Sequence, residues 1–451
     1  MTASTQKNLP MEGKSPFRLV LWFSIPTIAG LLSTAIYNLA DAWFIYQLST
    51  EAGAAVAVAF PVQTLMQTVG FTLGLGGGSL LSRRLGAGKH AEADSYAATA
   101  LFGALGVGIL ITVFGIPYLP RLVQILGADA SVAPDAVSYL KYLLWAAPMM
   151  CVSFVLGQLL RAKGYVWISA IGVSVGNLLN VVLDPLLIFG CGLGIAGASL
   201  ATLISHSVGV AVLLLLHRAK RSRRAEKLPF WKGVGERSLR ILFAGLPSLL
   251  RQGLICIAAL CLNRIAAAES VAAVAALSVV NRLFLVMFSF CAGVGQGMMP
   301  IAGYHFGAKR WDKVRRAYGA ALLLSTAWMI LLSIPLLLYA PQILGFFRKE
   351  SDVISVGSRA LVAQSAVFVL HGVITCTILL LQAIGRQLGA ILLACARQGF
   401  FFLPLLEWLP ARFGGISFIY AQPIADILTF LLAIPFMISL LRRQKNREKI
   451  D

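Results

Sequence analysis

Four acidic residues lie within long apolar segments of the sequence: Asp41, Asp184, Glu407 and Asp426. A charge at the depth of a lipid bilayer is costly, and such residues usually face a bundle interior and serve ion or substrate pathways. Glu407 and Asp426 are the weaker candidates, and Glu407 is next to Trp408 near the expected end of an apolar segment. Asp41 and Asp184 are therefore the preferred candidates for ion chemistry.

Asp41 and Asp184 are expected at a similar depth, because each follows a basic segment by a similar length of helix. Tyr37 and Asn180 precede them by one turn and face the same way. Two carboxylates in a low-dielectric site resist ionising together, and a shared proton or a sodium ion relieves their repulsion. The sequence therefore predicts a site for H⁺ or Na⁺, without choosing between them. Its predicted members are Asp41, Tyr139, Asn180, Asp184 and Thr202.

The elements that carry these residues are predicted to be transmembrane helices. The chain has 451 residues, of which 58% are hydrophobic and 12% are charged, whereas a soluble protein has roughly 25% charged residues. Its apolar segments are long enough to cross a bilayer as helices, which takes about 20 residues. Twelve spans are predicted, near residues 17–41, 52–80, 95–117, 136–160, 166–189, 194–217, 239–263, 270–300, 316–340, 353–382, 388–409 and 414–441.

The positive charge is distributed unevenly along the chain. Lys and Arg are concentrated in the terminal segments and in alternate loops, which places both termini in the cytoplasm. The formal net charge of +20 is thus attributed to membrane topology and contact with anionic lipid. Few aromatic or polar residues accompany the basic segment at 218–240, so nucleic-acid binding is not expected. The predicted location is the inner (plasma) membrane.

The sequence repeats itself at a nearly constant offset. Gln-Ile-Leu-Gly occurs at 124–127 and 342–345, and Gly74-Leu-Gly-Gly-Gly78 is matched by Gly293-Val-Gly-Gln-Gly297. Pro26 in the first span is matched by Pro247 in the seventh. Such a repeat predicts an all-α membrane protein of two six-helix bundles in the same orientation. The predicted parts are an N-terminal lobe at 1–217, a basic linker at 218–238, a C-terminal lobe at 239–441 and a basic tail at 442–451.

Signatures of an enzyme are lacking in the sequence. Gly-Ala-Gly-Lys at 86–89 fails as a phosphate-binding loop, because His90 follows the lysine and Arg83 occupies the position of the first glycine. The histidines and cysteines show no metal-ligand spacing, and the glycine cluster at 74–78 is interpreted as a close packing surface between helices. His206 and His371 fall within spans, where either a packing or a functional role is open. The chain is predicted to be a non-enzyme without a cofactor, and without a metal site other than possible Na⁺ binding by Asp41, Asn180, Asp184 and Thr202.

Several motifs resemble those of the MATE (multidrug and toxic compound extrusion) transporters. The first is the segment from Ile25-Pro-Thr-Ile to Tyr37-Asn-Leu-Ala-Asp41, and a second is Asn177-Leu-Leu-Asn-Val-Val-Leu-Asp184-Pro185. The segment from Gly194 to Thr202, Gly-Ile-Ala-Gly-Ala-Ser-Leu-Ala-Thr, is similar as well. The resemblance extends over nearly the whole chain, and the acidic residues of the first lobe resemble the DinF-like branch.

This resemblance implies secondary active efflux of cationic or amphipathic small molecules in exchange for H⁺ or Na⁺. It implies that Asp41, Tyr139, Asn180, Asp184 and Thr202 form the ion-coupling network, and that the first helix bends at Pro26. Tyr37 and Asn38 are candidates for the substrate cavity. Phe154 and Gly157 occupy a stretch in which some members of the family have asparagines, so their substrate contacts cannot be transferred.

Two other functions are compatible with twelve spans. One is a flippase for lipid-linked precursors from the same superfamily, although those relatives usually have two further helices. The other is a membrane receptor or scaffold that does not transport. A monomer that contacts membrane lipids and small-molecule drugs or metabolites is expected in the preferred interpretation.

Overall fold

The computed structural model describes residues 15–220 and 233–442, and within these ranges the backbone is helical and contains no strand. Its fifteen α-helices are α1 (Pro16–Tyr46), α2 (Thr50–Gly86), α3 (His90–Gly115), α4 (Leu119–Ile125), α5 (Ala133–Ala162), α6 (Val166–Pro185), α7 (Ile195–Lys220), α8 (Val234–Glu269), α9 (Val271–Gly307), α10 (Trp311–Leu338), α11 (Ala340–Phe347), α12 (Ser351–Ala383), α13 (Gln387–Cys395), α14 (Leu403–Phe413) and α15 (Ala421–Arg442).

Twelve segments in these ranges are long and apolar enough to span a membrane, which confirms the predicted all-α membrane fold. Eleven are single α-helices over most of their length, and the segment Gln387–Phe413 combines α13 and α14. Several helices extend beyond the apolar segments that predicted them, because charged residues can continue a helix past the hydrocarbon region. For example, α2 continues to Gly86 and includes Arg83 and Arg84.

Two short helices were not predicted. These are α4 and α11, which lie at equivalent places in the repeat. The second Gln-Ile-Leu-Gly copy lies within α11, and the first begins in the last turn of α4. Each helix begins with a proline at its first turn, where the missing N–H costs no hydrogen bond. Their seven or eight residues are too few to span a bilayer, so a search for long apolar segments does not detect them.

The described helices form two compact units. The first unit comprises Ala29–Gly245, and the second comprises the described residues up to Ile28 together with those from Leu246 onward. In the first unit the most buried span is α5, which packs against α2, α3 and α7. In the second unit α12 occupies the equivalent place and packs against α9, α10 and α15.

Two helices, α1 and α8, each contribute to both units, and the division falls close to Pro26 and Pro247. The start of α1 packs in the second unit, and the start of α8 packs in the first. The units thus differ from the predicted lobes at 1–217 and 239–441 in these two initial segments. Much of the predicted linker and nearly all of the basic tail lie outside the described residues.

Glycines explain why these initial segments pack so closely. In the second unit, a Cβ atom on Gly297 would come within 2.9 Å of the backbone nitrogen of Ser24 in α1. In the first unit, a Cβ on Gly76 would meet the backbone of α8 at Ile241 and Gly245. The repeated glycine clusters are therefore helix-packing surfaces, as the sequence predicted, and only glycine allows two backbones to approach this far.

A short π-helix interrupts the regular helix at two places. One is Leu186–Gly190, directly after Pro185, and the other is Ala396–Phe402, which ends just before Pro404. Proline lacks the N–H of a regular helix and disturbs the hydrogen-bond ladder around it. π-Helical segments occur frequently at functional sites, and in this chain they adjoin Asp184 and include Arg397.

Candidate functional site

The best-defined polar cluster of the first unit joins α6 to α7. Asp184 is completely buried, and Asn180 and Thr202 are each 2% exposed. With the amide nitrogen of Asn180 facing the carboxylate, Asn180 donates to Asp184 Oδ2 at 3.2 Å, and its oxygen accepts from the backbone nitrogen of Thr202 at 3.3 Å. Hydrogen bonds thus link three of the five predicted ion-site residues, Asp184, Asn180 and Thr202.

Local sequence accounts for this arrangement. Asn180 and Asp184 are four residues apart in α6 and therefore share one face of the helix. Glycines allow α6 and α7 to cross closely, because a Cβ on Gly176 would come within 3.1 Å of the carbonyl oxygen of Ser205. This close crossing brings α7, and with it Thr202, to the carboxamide of Asn180.

Asp41 and Tyr139 are the other two members of the predicted site. Asp41 is 5% exposed although it is close to the end of α1, and Tyr139 is 1% exposed. The carboxylate of Asp41 and the hydroxyl of Tyr139 are buried and interact with each other, although neither Oδ1 nor the hydroxyl makes a hydrogen bond of good geometry in the described part of the chain. Electrostatic interactions nevertheless connect Asp41 to Tyr139 and Asp184. The five predicted residues thus form one neighbourhood, in which the oxygens of Asp41 and Tyr139 retain capacity to bind an ion.

Tyr37 connects this neighbourhood to a pocket within the first unit. Its hydroxyl accepts a long hydrogen bond of 3.5 Å from Gln63, and it interacts electrostatically with Asp41 and Asp184. This small pocket is lined by residues of α1, α5, α6 and α7, among them Tyr37, Phe154 and His206. An adjoining, smaller space reaches Asn180 and Thr202.

Two aromatic residues of the lining, His206 and Phe154, were not among the predicted site residues. The ring of His206 lies 6.5 Å from that of Tyr37 and 6.1 Å from that of Phe154, measured between centroids. His206 follows Thr202 by four residues on α7, so helical spacing could have placed it beside the cluster. Phe154 lies in the stretch in which some members of the family have asparagines, so no substrate contact was predicted for it.

The remaining predicted residues are Asn38 and Pro26, both in α1. Asn38 is partly buried, and its amide donates to the carbonyl of Thr34 at 2.9 Å in the same helix. It is not among the residues lining the pocket, so a substrate contact by Asn38 stays a prediction. Pro26 is buried inside α1, where the adjacent Thr27 donates back to the carbonyl of Phe23 at 2.7 Å. Bending at Pro26 also stays a prediction.

The oxygens of the cluster suit a proton or a hard cation. Among the described residues no group of three or more His, Cys, Asp or Glu could hold a metal ion. A sodium ion would instead use mixed oxygen ligands, and carboxylate, carboxamide and hydroxyl oxygens of this kind are present on Asp41, Asp184, Asn180 and Thr202.

Two weaker acidic candidates differ sharply in their surroundings. Glu407 is exposed beside the half-exposed ring of Trp408. Asp426 is completely buried and forms an ion pair with Arg397 in the second unit. The sequence gave no partner for that arginine.

The fold and the buried ionisable cluster together define a polytopic membrane transporter. More specifically, the chain belongs to the MatE family, whose model matches residues 26–186 and 247–404. The two matched ranges begin at Pro26 and Pro247 and thus follow the internal repeat. Membership confirms the family predicted from the motifs, and it confirms that the chain is a transporter and not an enzyme. Assignment to the DinF-like branch stays a prediction.

Known proteins resemble the chain over nearly its full length. It is 28% identical over 424 residues to the multidrug export protein MepA of Staphylococcus aureus, with 93% of each chain covered. It is 26% identical to the protein of the same name from Staphylococcus saprophyticus, covering 98% of this chain and 97% of that protein. Among solved structures, an outward-facing multidrug resistance MATE family transporter of the MOP superfamily superimposes with a TM-score of 0.89 at 26% identity, covering 97% of this chain and 99% of that one.

Proposed function

We propose that the chain is a secondary active multidrug exporter, which moves cationic or amphipathic small molecules out of the cell in exchange for H⁺ or Na⁺. The observation that carries this proposal is the buried cluster of Asp41, Asn180, Asp184 and Thr202 beside a pocket in the same unit. The MatE family and relatives named as multidrug exporters support the substrate class.

Coupling is assigned to the first unit because the pair of buried, interacting carboxylates in the described ranges lies there. At the repeat offset, Asp41 corresponds to about Leu262 and Asp184 corresponds to Leu403. Leucine at both positions can bind neither a proton nor a sodium ion. The scaffold is therefore repeated, whereas the ion chemistry is not.

Exchange of ion for substrate follows because both compete for the same negatively charged site. Asp41 and Asp184 interact electrostatically in a buried site, where two unscreened negative charges repel each other strongly. A proton on either carboxylate, or a sodium ion between them, removes this repulsion, and a cationic substrate nearby would do the same. Binding of the ion therefore disfavours binding of the cation, which is the requirement for antiport.

Tyr37 is the residue best placed to connect ion and substrate. Its ring lines the pocket, while its hydroxyl end interacts with both carboxylates. The aromatic neighbours Phe154 and His206 offer surfaces on which flat apolar compounds can stack, and carboxylates attract cations. The pocket is accordingly assigned to a flat aromatic part of a positively charged substrate.

The proposal includes the setting of the protein. Both termini are placed in the cytoplasm by the distribution of Lys and Arg, and the chain acts as a monomer in the plasma membrane. Anionic lipid, rather than nucleic acid, is the expected contact of the basic loops.

The test is transport by the purified protein in proteoliposomes, with proton and sodium gradients applied separately. Asp41→Asn and Asp184→Asn should abolish gradient-driven transport of a cationic dye while the protein remains monodisperse. Asp129→Asn, which alters an exposed acid of the same unit, should transport normally and serves as the matched control.

Each outcome of this experiment has a clear meaning. The gradient that drives transport identifies the ion. Normal transport by both Asp41→Asn and Asp184→Asn would overturn the assignment of coupling to the first unit. Dye binding without flux under either gradient would favour a receptor or scaffold, and flux of a lipid-linked precursor instead of the dye would favour a flippase.

A further inference from the structure

The second unit contains a buried ionic cluster that the proposed coupling does not use. Arg397 donates to Asp426 through Nε at 2.7 Å and through Nη2 at 3.3 Å. Gln422 donates to the same carboxylate at 3.0 Å. The side chain of Asp426 is completely buried and that of Arg397 is 15% exposed, so this is an ion pair inside a membrane-spanning unit.

A second arginine adds a positive charge to this cluster. Arg251 in α8 is partly buried and interacts electrostatically with Arg397. Its guanidinium carbon lies 6.0 Å from the centroid of the Phe288 ring. Among the described residues Arg251 forms no ion pair with a carboxylate. Asp426 therefore pairs with Arg397, while the guanidinium of Arg251 adds a second positive charge near that of Arg397.

His371 supplies an independent observation that points to a ligand. Its side chain is 5% exposed, and neither ring nitrogen has a hydrogen-bond partner in the described part of the chain. Its ring lies 5.5 Å from that of Phe288, which Arg251 also contacts, and interacts electrostatically with Arg251 and Arg397. Buried polar atoms in native proteins are nearly always hydrogen-bonded, so two unsatisfied nitrogens beside two cations require an explanation.

A purely structural ion pair explains only part of the cluster. It accounts for Arg397 and Asp426, because each neutralises the charge of the other and forms hydrogen bonds with it. It leaves the charge of Arg251 and the ring nitrogens of His371 unaccounted for. The backbone at Arg397 is also irregular, because this residue lies in the π-helical segment Ala396–Phe402, and such segments are frequent at functional sites.

We propose that Arg251, Arg397 and His371 form an anion-binding site in the second unit, which takes the carboxylate of a zwitterionic or anionic small molecule. Guanidinium groups match the geometry of a carboxylate and bind it with two parallel hydrogen bonds. Phe288 and Phe368 provide the apolar walls, since both contact the ring of His371. The inference depends on the proposed function only in taking the ligand to be a transported molecule, because binding itself needs no gradient.

The test measures binding of a matched dye pair to the purified full-length protein at equilibrium. Rhodamine B carries a free carboxylate, and its ethyl ester is the same dye without that charge. The quantity measured is the ratio of the two dissociation constants. In Arg251→Gln the preference for the carboxylate should fall about tenfold, as expected when a charged hydrogen bond is lost. Arg251→Lys, which keeps the charge, should retain most of the preference.

Two further variants separate a binding role from a structural one. Asp426→Asn removes the internal carboxylate that competes with the ligand, so the preference for rhodamine B over its ester should increase. Arg348→Gln alters an exposed arginine of the same unit and should leave the ratio unchanged. A merely structural cluster would weaken binding of both dyes equally in Arg251→Gln and in Asp426→Asn, and that result would overturn the proposal.

A competition experiment distinguishes an organic carboxylate from an inorganic anion. Acetate should reduce binding of rhodamine B but not of its ester, and chloride at equal ionic strength should have less effect. If chloride competes as well as acetate, the carboxylate assignment is wrong. Failure of flux in proteoliposomes would contradict the proposed function without altering these binding ratios, so the two proposals can fail separately.

Discussion

The ion pair between Arg397 and Asp426 should be essential to the stability of the second unit. Arg397→Gln removes both guanidinium contacts, at 2.7 and 3.3 Å, and leaves a completely buried carboxylate with only the amide of Gln422. Removing one partner of a buried ion pair costs about 3–5 kcal/mol, because the remaining charge is uncompensated. We expect a loss of free energy of unfolding in this range.

The double variant Arg397→Gln/Asp426→Asn provides the decisive comparison. It removes both charges, so no uncompensated ion remains, and it should recover most of the stability lost in Arg397→Gln. The free energy of unfolding can be measured by titrating the protein with a denaturing detergent in mixed micelles. The far-ultraviolet circular dichroism of the helices would report unfolding.

An exposed pair in the same unit is the matched control. Arg348 and Glu350 are separated by 3.8 Å and both are more than half exposed. Arg348→Gln should change the free energy of unfolding by less than about 1 kcal/mol, because water and salt screen such pairs. If Arg397→Gln costs no more than Arg348→Gln, or if the double variant is less stable than Arg397→Gln, the reasoning about burial is refuted.

Three other predictions concern packing, the ion site and topology. Gly297→Ala should lower the free energy of unfolding by about 1–3 kcal/mol, because its Cβ would meet the backbone of α1; Gly319→Ala, where nothing lies within 4 Å, should not be destabilising in thermal denaturation. Tyr139→Phe should lower the melting temperature only slightly, since the lost hydroxyl makes no hydrogen bond of good geometry. It should nevertheless impair transport driven by the ion, because the hydroxyl interacts with Asp41; normal flux would show that the hydroxyl is not used. A cysteine at Ala308 should react with an impermeant reagent only from the cytoplasm and one at Ala128 only from outside, and the reverse pattern would contradict the orientation.

Much of the fold could be predicted from hydrophobicity alone. A helix that crosses a bilayer must satisfy its own backbone and present an apolar surface, so each span leaves a long apolar segment in the sequence. The short helices α4 and α11 leave no such segment, and they escaped prediction although the repeated Gln-Ile-Leu-Gly pointed to equivalent structures. For these two helices, the internal repeat was thus a better indicator of structure than the length of the apolar segments.

The candidate site was predictable where it depends on spacing along a helix, as for Asn180 and Asp184. The partnership of Arg397 and Asp426 was not, because it depends on how a π-helical segment and α15 rotate about their axes when they pack. The same holds for Arg251 and His371, which come from α8 and α12 and become neighbours only through Phe288. Contacts between distant parts of a chain require the tertiary structure, whereas contacts along one helix do not.

The exchange of initial segments between α1 and α8 has a consequence for biosynthesis. Residues Pro16–Ile28 are synthesised first, yet the glycine surface on which they pack, at Gly293 and Gly297, emerges more than 260 residues later. The start of α1 must therefore remain in the lipid without its packing partner, which a bilayer permits because a helix satisfies its own backbone. The start of α8 has no such delay, since Gly76 is already present when it is made. A ribosome that stopped before α8 would leave the glycines of α2 uncovered, so neither unit can be completed by one six-helix half of the chain alone.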